Sequence, residues 1–343
     1  MSGASDRKPK KKRAALAVVI LVLPLALFIL SLNIGSYSIP PGDLGKTVLS
    51  LVVPSLRQDV PQAYRDIVLH IRLPRLLLAL AAGASLAVSG AALQALFKNP
   101  LVNEYILGLS SGSAFGAALS LVFLGRGFPP QLGAFIFAVV AVLAVLLIAG
   151  RLESGLVSLL LTGVIISALF SALLMLVEFF ASPYALQSLF YWLMGNLSLA
   201  GWRDLALSLP LMAAGLLLLF LMRWRLNVLS MSDEEARAMG VDVRREKWLV
   251  ILAATLITAA ATSVAGIIGW LGLIVPHLVR MAVGADNKTV IPLSAAMGAS
   301  FLLLADAVTR SLTSIEIPVG IFTSLIGIPV FLALLNRSKK VWL

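Results

Sequence analysis

An all-α polytopic membrane protein of about ten transmembrane helices is the fold class this sequence predicts. Three observations predict it. Of 343 residues, 60% are hydrophobic and only 13% charged, where soluble domains carry about 25% charge; mean hydropathy is +1.00. The apolar residues fall in separate runs of about twenty, the length a helix needs to cross a hydrocarbon core about 30 Å thick. Strand-length alternation is missing, which argues against a lipid-spanning barrel. Helices then remain, because they satisfy every backbone group internally.

The elements follow in order as one transmembrane domain over 1–343. A basic stretch, 1–13, leads into a first span at roughly 14–34. It looks like a signal peptide, but the apolar part is long and lacks a small-x-small cleavage site, so it reads as an uncleaved span. The next connection holds "PPGDLGKTVL". Gly45, Lys46 and Thr47 mimic the end of a phosphate loop, yet the position five before Gly45 is Pro40, which has no N–H to offer a phosphate. Nucleotide binding is rejected there. Spans follow at roughly 71–97, 105–124, 131–150 and 155–180. In the third, Gly108, Gly112 and Gly116 recur every four residues; in the fifth, Gly163, Ser167 and Ser171 do the same. Small residues at this spacing let helix backbones approach closely where lipid gives no hydrophobic drive. The sixth and seventh spans are read at 204–222 and 247–268, a short eighth at 270–283, and the last two at 290–309 and 317–336. Gly90 stands ten residues before Pro100 and Gly266 ten before Pro276, in spans that run oppositely. This echo is read as an inverted internal repeat.

Charge placement tests the count. With the N-terminus inside, nineteen of the 27 lysines and arginines fall in cytoplasmic segments and eight outside, as the positive-inside rule requires. Both termini are then cytoplasmic. So is the loop 225–247, a charged island holding five of the sixteen acidic residues. Within it "SDEEARAMG" reads as a short capped helix. Ser232 and Glu235 form a capping box, Asp233, Glu234 and Glu235 suit the positive end of the helix dipole, and Gly240 stops it. So short a helix is unstable alone, so a protein surface is expected to hold it.

Chemistry is scarce. There are no cysteines, which excludes disulfides and thiolate metal sites. No His or carboxylate stands at ligand spacing from His277, and neither a catalytic triad nor paired carboxylates can be found, so no cofactor, no metal and no enzymatic activity is expected. Ion-driven carriers keep carboxylates at mid-membrane; the nearest candidate, Asp306, is expected to pair with Arg310, its i,i+4 neighbour. Any uphill movement must draw energy from a partner.

These residues also resemble a family. "LSMSDEEARAMGV" resembles the coupling loop of FecCD-type permease subunits of ABC importers for iron–siderophores, haem and cobalamin. The likeness extends through "IRLPRLLLALAAGASLAVSGAALQALFKNPLVNEYILGLSSGSAFGAAL", "YWLMGNLSLAGWRD", "GIIGWLGLIVPHLVRMAVGADNKTVIPLSAAMGASFLLLADAVTR" and "EIPVGIFTSLIGIPVFLALL", covering about residues 65 to 336. It implies a cobalamin-importer-permease-like fold (type II ABC importer) in a bacterial or archaeal cytoplasmic membrane. It implies two copies of an ABC ATPase subunit, which alone would hydrolyse ATP, an extracytoplasmic substrate-binding protein, and a second permease subunit, taken first as an identical copy. Nucleic acid is not a partner. Carried onto this chain, the ATPase-coupling residues are Ser230, Ser232, Asp233, Glu234, Glu235, Arg237, Met239 and Gly240. Arg72, Arg75 and Arg310 would meet acidic groups of the binding protein. The translocation path would take Gly163, Ser167, Ser171, Gly320, Thr323, Ser324 and Gly327, and the inner gate Asn99, Pro100 and Leu101. "RLESGLVSLLL" matches the family's gating segment poorly, and "NEYILG" replaces a small-acidic-Pro pattern before the third span.

The function expected is therefore a passive membrane conduit for a bulky metal chelate, driven by a separate motor. An ion-coupled secondary transporter and a non-transporting scaffold that recruits a cytoplasmic enzyme are the rival readings.

Overall fold

The computed structural model describes residues 10–35, 37–50, 53, 60–151, 156–198, 200–312 and 316–342. Seven of its helices are long and apolar enough to cross a membrane, and three shorter apolar helices join them, matching the ten expected runs. They are α1 (Lys10–Asn33), a surface helix α2 (Pro41–Leu49), α3 (Gln62–Phe97), α4 (Leu109–Leu124), α5 (Pro130–Arg151), α6 (Leu156–Phe179), α7 (Pro183–Leu193), α8 (Trp202–Leu221), two short helices α9 (Arg223–Leu229) and α10 (Asp233–Ala238), then α11 (Val243–Ala265), α12 (Leu271–Val283), α13 (Asn287–Leu312) and α14 (Val319–Trp342). We call the side bearing α10 the island end and the other the far end.

α3 is the axis. From Leu73 to Phe97 nearly every residue is buried, and α13, α11 and α12 pack around it. The contacts are made by small residues. A Cβ on Gly83 would overlap the Gly298 carbonyl of α13, and one on Gly90 would overlap the Gly272 carbonyl of α12. The faces predicted on α4 behave likewise: Gly112 lies against the Phe137 carbonyl and Gly116 against that of Gly133, both on α5. Helices that cannot gain from squeezing out water associate by such close backbone contact. At the periphery, Val18, Val19, Leu21 and Val22 of α1 are more than half exposed, as befits side chains facing lipid.

One boundary is corrected. The third span begins at Leu109, not 105, because Asn103 turns the chain first by accepting from the Tyr105 N–H at 3.3 Å, and Gly108 then takes φ 79°. Residues 99–108 are thus non-helical. Of the two glycines in the Gly–Pro echo, Gly90 is inside α3 and Gly266, at φ 70°, follows the end of α11. The Gly45–Thr47 decoy lies within α2, where the Thr47 hydroxyl donates to the Asp43 carbonyl at 2.7 Å.

Candidate functional site

At the island end the short helix forms as its sequence dictates. The Glu235 N–H donates to the Ser232 hydroxyl at 3.2 Å and the Ser232 N–H to the Glu235 carboxylate at 2.9 Å. At the other end Gly240 takes φ 78°, its N–H donating to the Arg237 carbonyl and that of Val241 to the Ala236 carbonyl. This pair of hydrogen bonds closes the helix. Ala236, 1% exposed, is the helix's buried anchor. Ser230, Ser232, Glu234, Glu235, Arg237, Met239 and Gly240 are exposed, and Asp233 is half-buried.

Asp233 is held from the protein side. The Lys247 ammonium of α11 donates to its carboxylate at 2.7 Å, and Lys98 stands 3.9 Å away. The Lys247 bond holds the Asp233 carboxyl below its usual range. The Ser232 N–H, with the Ser232 hydroxyl second, does the same for Glu235. The Ser230 hydroxyl donates to the Leu226 carbonyl at 2.7 Å and reaches the Ala95 carbonyl of α3 at 3.3 Å. The island is also tied to the turn before α13, where the Asn227 amide donates to Asp286 at 2.7 Å, and Arg225 donates to Glu246.

The predicted gate follows directly. Lys98 ends α3 in the left-handed region at φ 53°. The Leu101 N–H then donates to the Asn99 side chain at 2.9 Å, a tight turn that leaves Leu101 54% exposed at the island end. Asn99 and Pro100 are half-buried. Of the gating stretch before α6, residues 152–155 lie outside the described residues.

At the far end the three predicted arginines stand in one buried cluster. Arg72, Arg75 and Arg310 are 3%, 4% and 5% exposed and already engaged. Arg75 donates to Asp306 at 2.8 Å and to Glu316 at 2.7 Å. Arg310 pairs with Asp306 at 3.0 Å, as the i,i+4 reading expected, and donates to the Ile34 carbonyl at 2.8 Å. Arg72 donates to the Leu32 carbonyl at 2.6 Å and to that of Tyr37. These bonds fasten α1, α3, α13 and the segment before α14 together.

The predicted path residues stand at or beside helix contacts. Gly163 is pressed on the Ile106 carbonyl, Gly320 on that of Met194, and Gly327 on the Trp270 side chain. Thr323 is fully buried, while Ser167, Ser171 and Ser324 are half-buried, the first and last bonded back to their own helices. The small residues are where α6 and α14 touch the body, and large apolar residues such as Val164, Ile165, Leu325 and Leu332 face outward.

Sequence reasoning missed two features. One is α7, signalled in hindsight by the Ser182 cap and Pro183 at its first position. It walls a far-end cavity of about 1010 Å³, lined by Leu186, Phe190, Tyr191, Met194, Glu316 and Ile321. The other is Glu104, 2% exposed, whose carboxylate accepts from the Gly272 N–H at 3.3 Å. Its place in the altered "NEYILG" stretch was the available signal. Among the described residues no group of three or more His, Cys, Asp or Glu could hold a metal.

The whole arrangement has known counterparts. The profile of the FecCD transport family matches residues 21–337. A Helicobacter pylori protein named "Probable iron chelatin transport system permease protein" is 38% identical over 332 residues, 97% of this chain and 99% of that protein. The molybdate import system permease MolB of Haemophilus influenzae is 39% identical over 315 residues, 91% of this chain and 92% of its own. Among solved structures, an inward-facing ABC transporter of metal-chelate type superposes with TM-score 0.84 at 36% identity, covering 94% of this chain and 99% of that one.

Proposed function

The chain belongs to the FecCD transport family, and from that premise we propose that it is the permease subunit of an ATP-driven importer that carries a metal chelate into the cell. Such a permease works with an ATPase and a substrate-binding protein and is not itself an enzyme. The cargo class is a metal chelate, an iron–siderophore, haem or cobalamin; the metal-chelate type of its structural counterpart supports this. The likeness to a molybdate permease makes an oxyanion the outcome that would redirect it. The permease would pair with a second copy of itself above two ATPase subunits, with both termini and α10 cytoplasmic.

The observation that carries the motor-driven reading is α10. It is a doubly capped helix, anchored by one buried alanine, that presents Glu234, Glu235, Arg237 and Met239 to solvent. A six-residue helix so well terminated, yet so little buried, is shaped to be gripped from outside. Glu234→Lys with Glu235→Lys should abolish co-purification of the ATPase while membrane insertion stays normal; an intact complex would refute the coupling role. Glu104 removes the argument that no carboxylate lies deep in the protein, so ion coupling is tested directly. Uptake in vesicles should survive an uncoupler and fail when the ATPase is inactivated.

A further inference from the structure

The altered stretch after the gate buries a carboxylate, that of Glu104. Gly272, its partner, packs on α3 beside Leu86. Leu86 is eleven residues before the end of α3 at Phe97, about 16 Å at 1.5 Å per residue, so Glu104 lies deep in the body. One carboxylate oxygen accepts from the Gly272 N–H; the other has no partner. α12 needs that acceptor. Its preceding residue, Trp270, sits in the left-handed region at φ 72° and provides no capping side chain, so Glu104 caps α12 from another segment. A Cβ on Gly272 would overlap this carboxylate.

Tyr105 grips the same bend. Its hydroxyl donates to the Ile268 carbonyl at 3.2 Å, accepts from the Ile268 N–H at 3.3 Å and stands 3.4 Å from the Thr262 hydroxyl. Beyond the bend, the Trp270 ring lies 6.0 Å from Phe331 of α14, and its Cβ presses on Gly327. At its other end the segment begins at Lys98, beside Asp233 of α10. Residues 98–105 thus connect the island helix to α14 through the α11–α12 bend.

We propose that Glu104 and Tyr105 are positioning residues that clip the gate segment to the α11–α12 bend, so that movement of α10 reaches α14. The proposal rests on the permease reading above. Neither residue touches cargo; both act through Gly272, Ile268 and Trp270. An energetic route between distant sites needs a demonstrated coupling, not proximity alone.

The test uses the full chain in complex with its ATPase, reconstituted in lipid. The chain has no cysteine, so spin labels go only where cysteines are introduced: Leu101→Cys and Ile328→Cys, 54% and 43% exposed in the parent chain. The label separation is measured without nucleotide and with ATP plus vanadate. In the parent, nucleotide should shift it. In Glu104→Ala and in Tyr105→Phe, which keeps the ring and loses only the hydroxyl, the shifted population should fall about tenfold, with ATP hydrolysis unchanged. Glu104→Gln keeps a carbonyl acceptor and should restore the shift. The double variant Glu104→Ala with Tyr105→Phe should fall no further than either alone. If the shift persists in both single variants, or ATP hydrolysis is lost with it, the proposal is overturned on its own. A parent chain that captures no ATP-hydrolysing subunit would overturn the permease reading and this proposal with it.

Discussion

Arg75 shows how a single side chain can change meaning between sequence and structure. Its charge placed it correctly at the far end, but its partners, Asp306 and Glu316, lie 231 and 241 positions away. Local spacing could disclose the Asp306–Arg310 pair and nothing more. The buried cluster sets Arg75 and Arg310 against Asp306 and Glu316, while Arg72 is held by carbonyls. Removing one member of a buried pair strands the others without compensation, at a cost of about 3–5 kcal/mol. Asp306→Ala should therefore lower the thermal midpoint of the detergent-solubilised protein sharply. Glu316→Gln, at the more exposed edge, should lower it less; equal losses would mean that the cluster is not the fastening we describe.

Elements differ in how far their neighbours decide them. α10 was legible to the residue, because capping box and terminal glycine are local devices written in consecutive positions. Residues 105–108 were not, because an apolar run with Tyr105 and Ile106 continues smoothly into a span, and only the Asn103 turn and Gly108 delay the helix. The small residues of α6 were recognised as a face, but nothing local says whether such a face meets a neighbour or a channel. A pH test belongs at this scale. Asp233 titrates below its ordinary value because Lys247 is bonded to it. A lowered folded value means the bridge contributes above the unfolded value and is lost only as pH falls through the lower one. Association with the ATPase should thus be flat from about pH 5 to about pH 8. A drop near neutrality would assign the contact to another group.

For the whole molecule, lengths were the legible part: ten apolar runs were enough to predict ten apolar helices, and the lopsided distribution of lysine and arginine predicts their sidedness. The order in which helices surround α3 was not legible, since it depends on which glycines meet across the bundle. Sidedness can be checked on the cysteine-free chain. In right-side-out vesicles, Tyr184→Cys, at a position 85% exposed at the far end, should react with an impermeant maleimide, and Glu234→Cys should react only after permeabilisation. The reverse pattern would invert the topology and with it the coupling role of α10.

The seclusion of α3 has one more consequence. Lipid thickness acts on a protein through the helices that lipid touches, which tilt or shift to match it. α1 is such a helix, with most of its length uncovered, whereas α3 is sheathed by its own chain. A thicker or thinner bilayer would therefore strain the rim and leave the spine at its own pitch, so one mechanical core could serve in membranes of quite different composition.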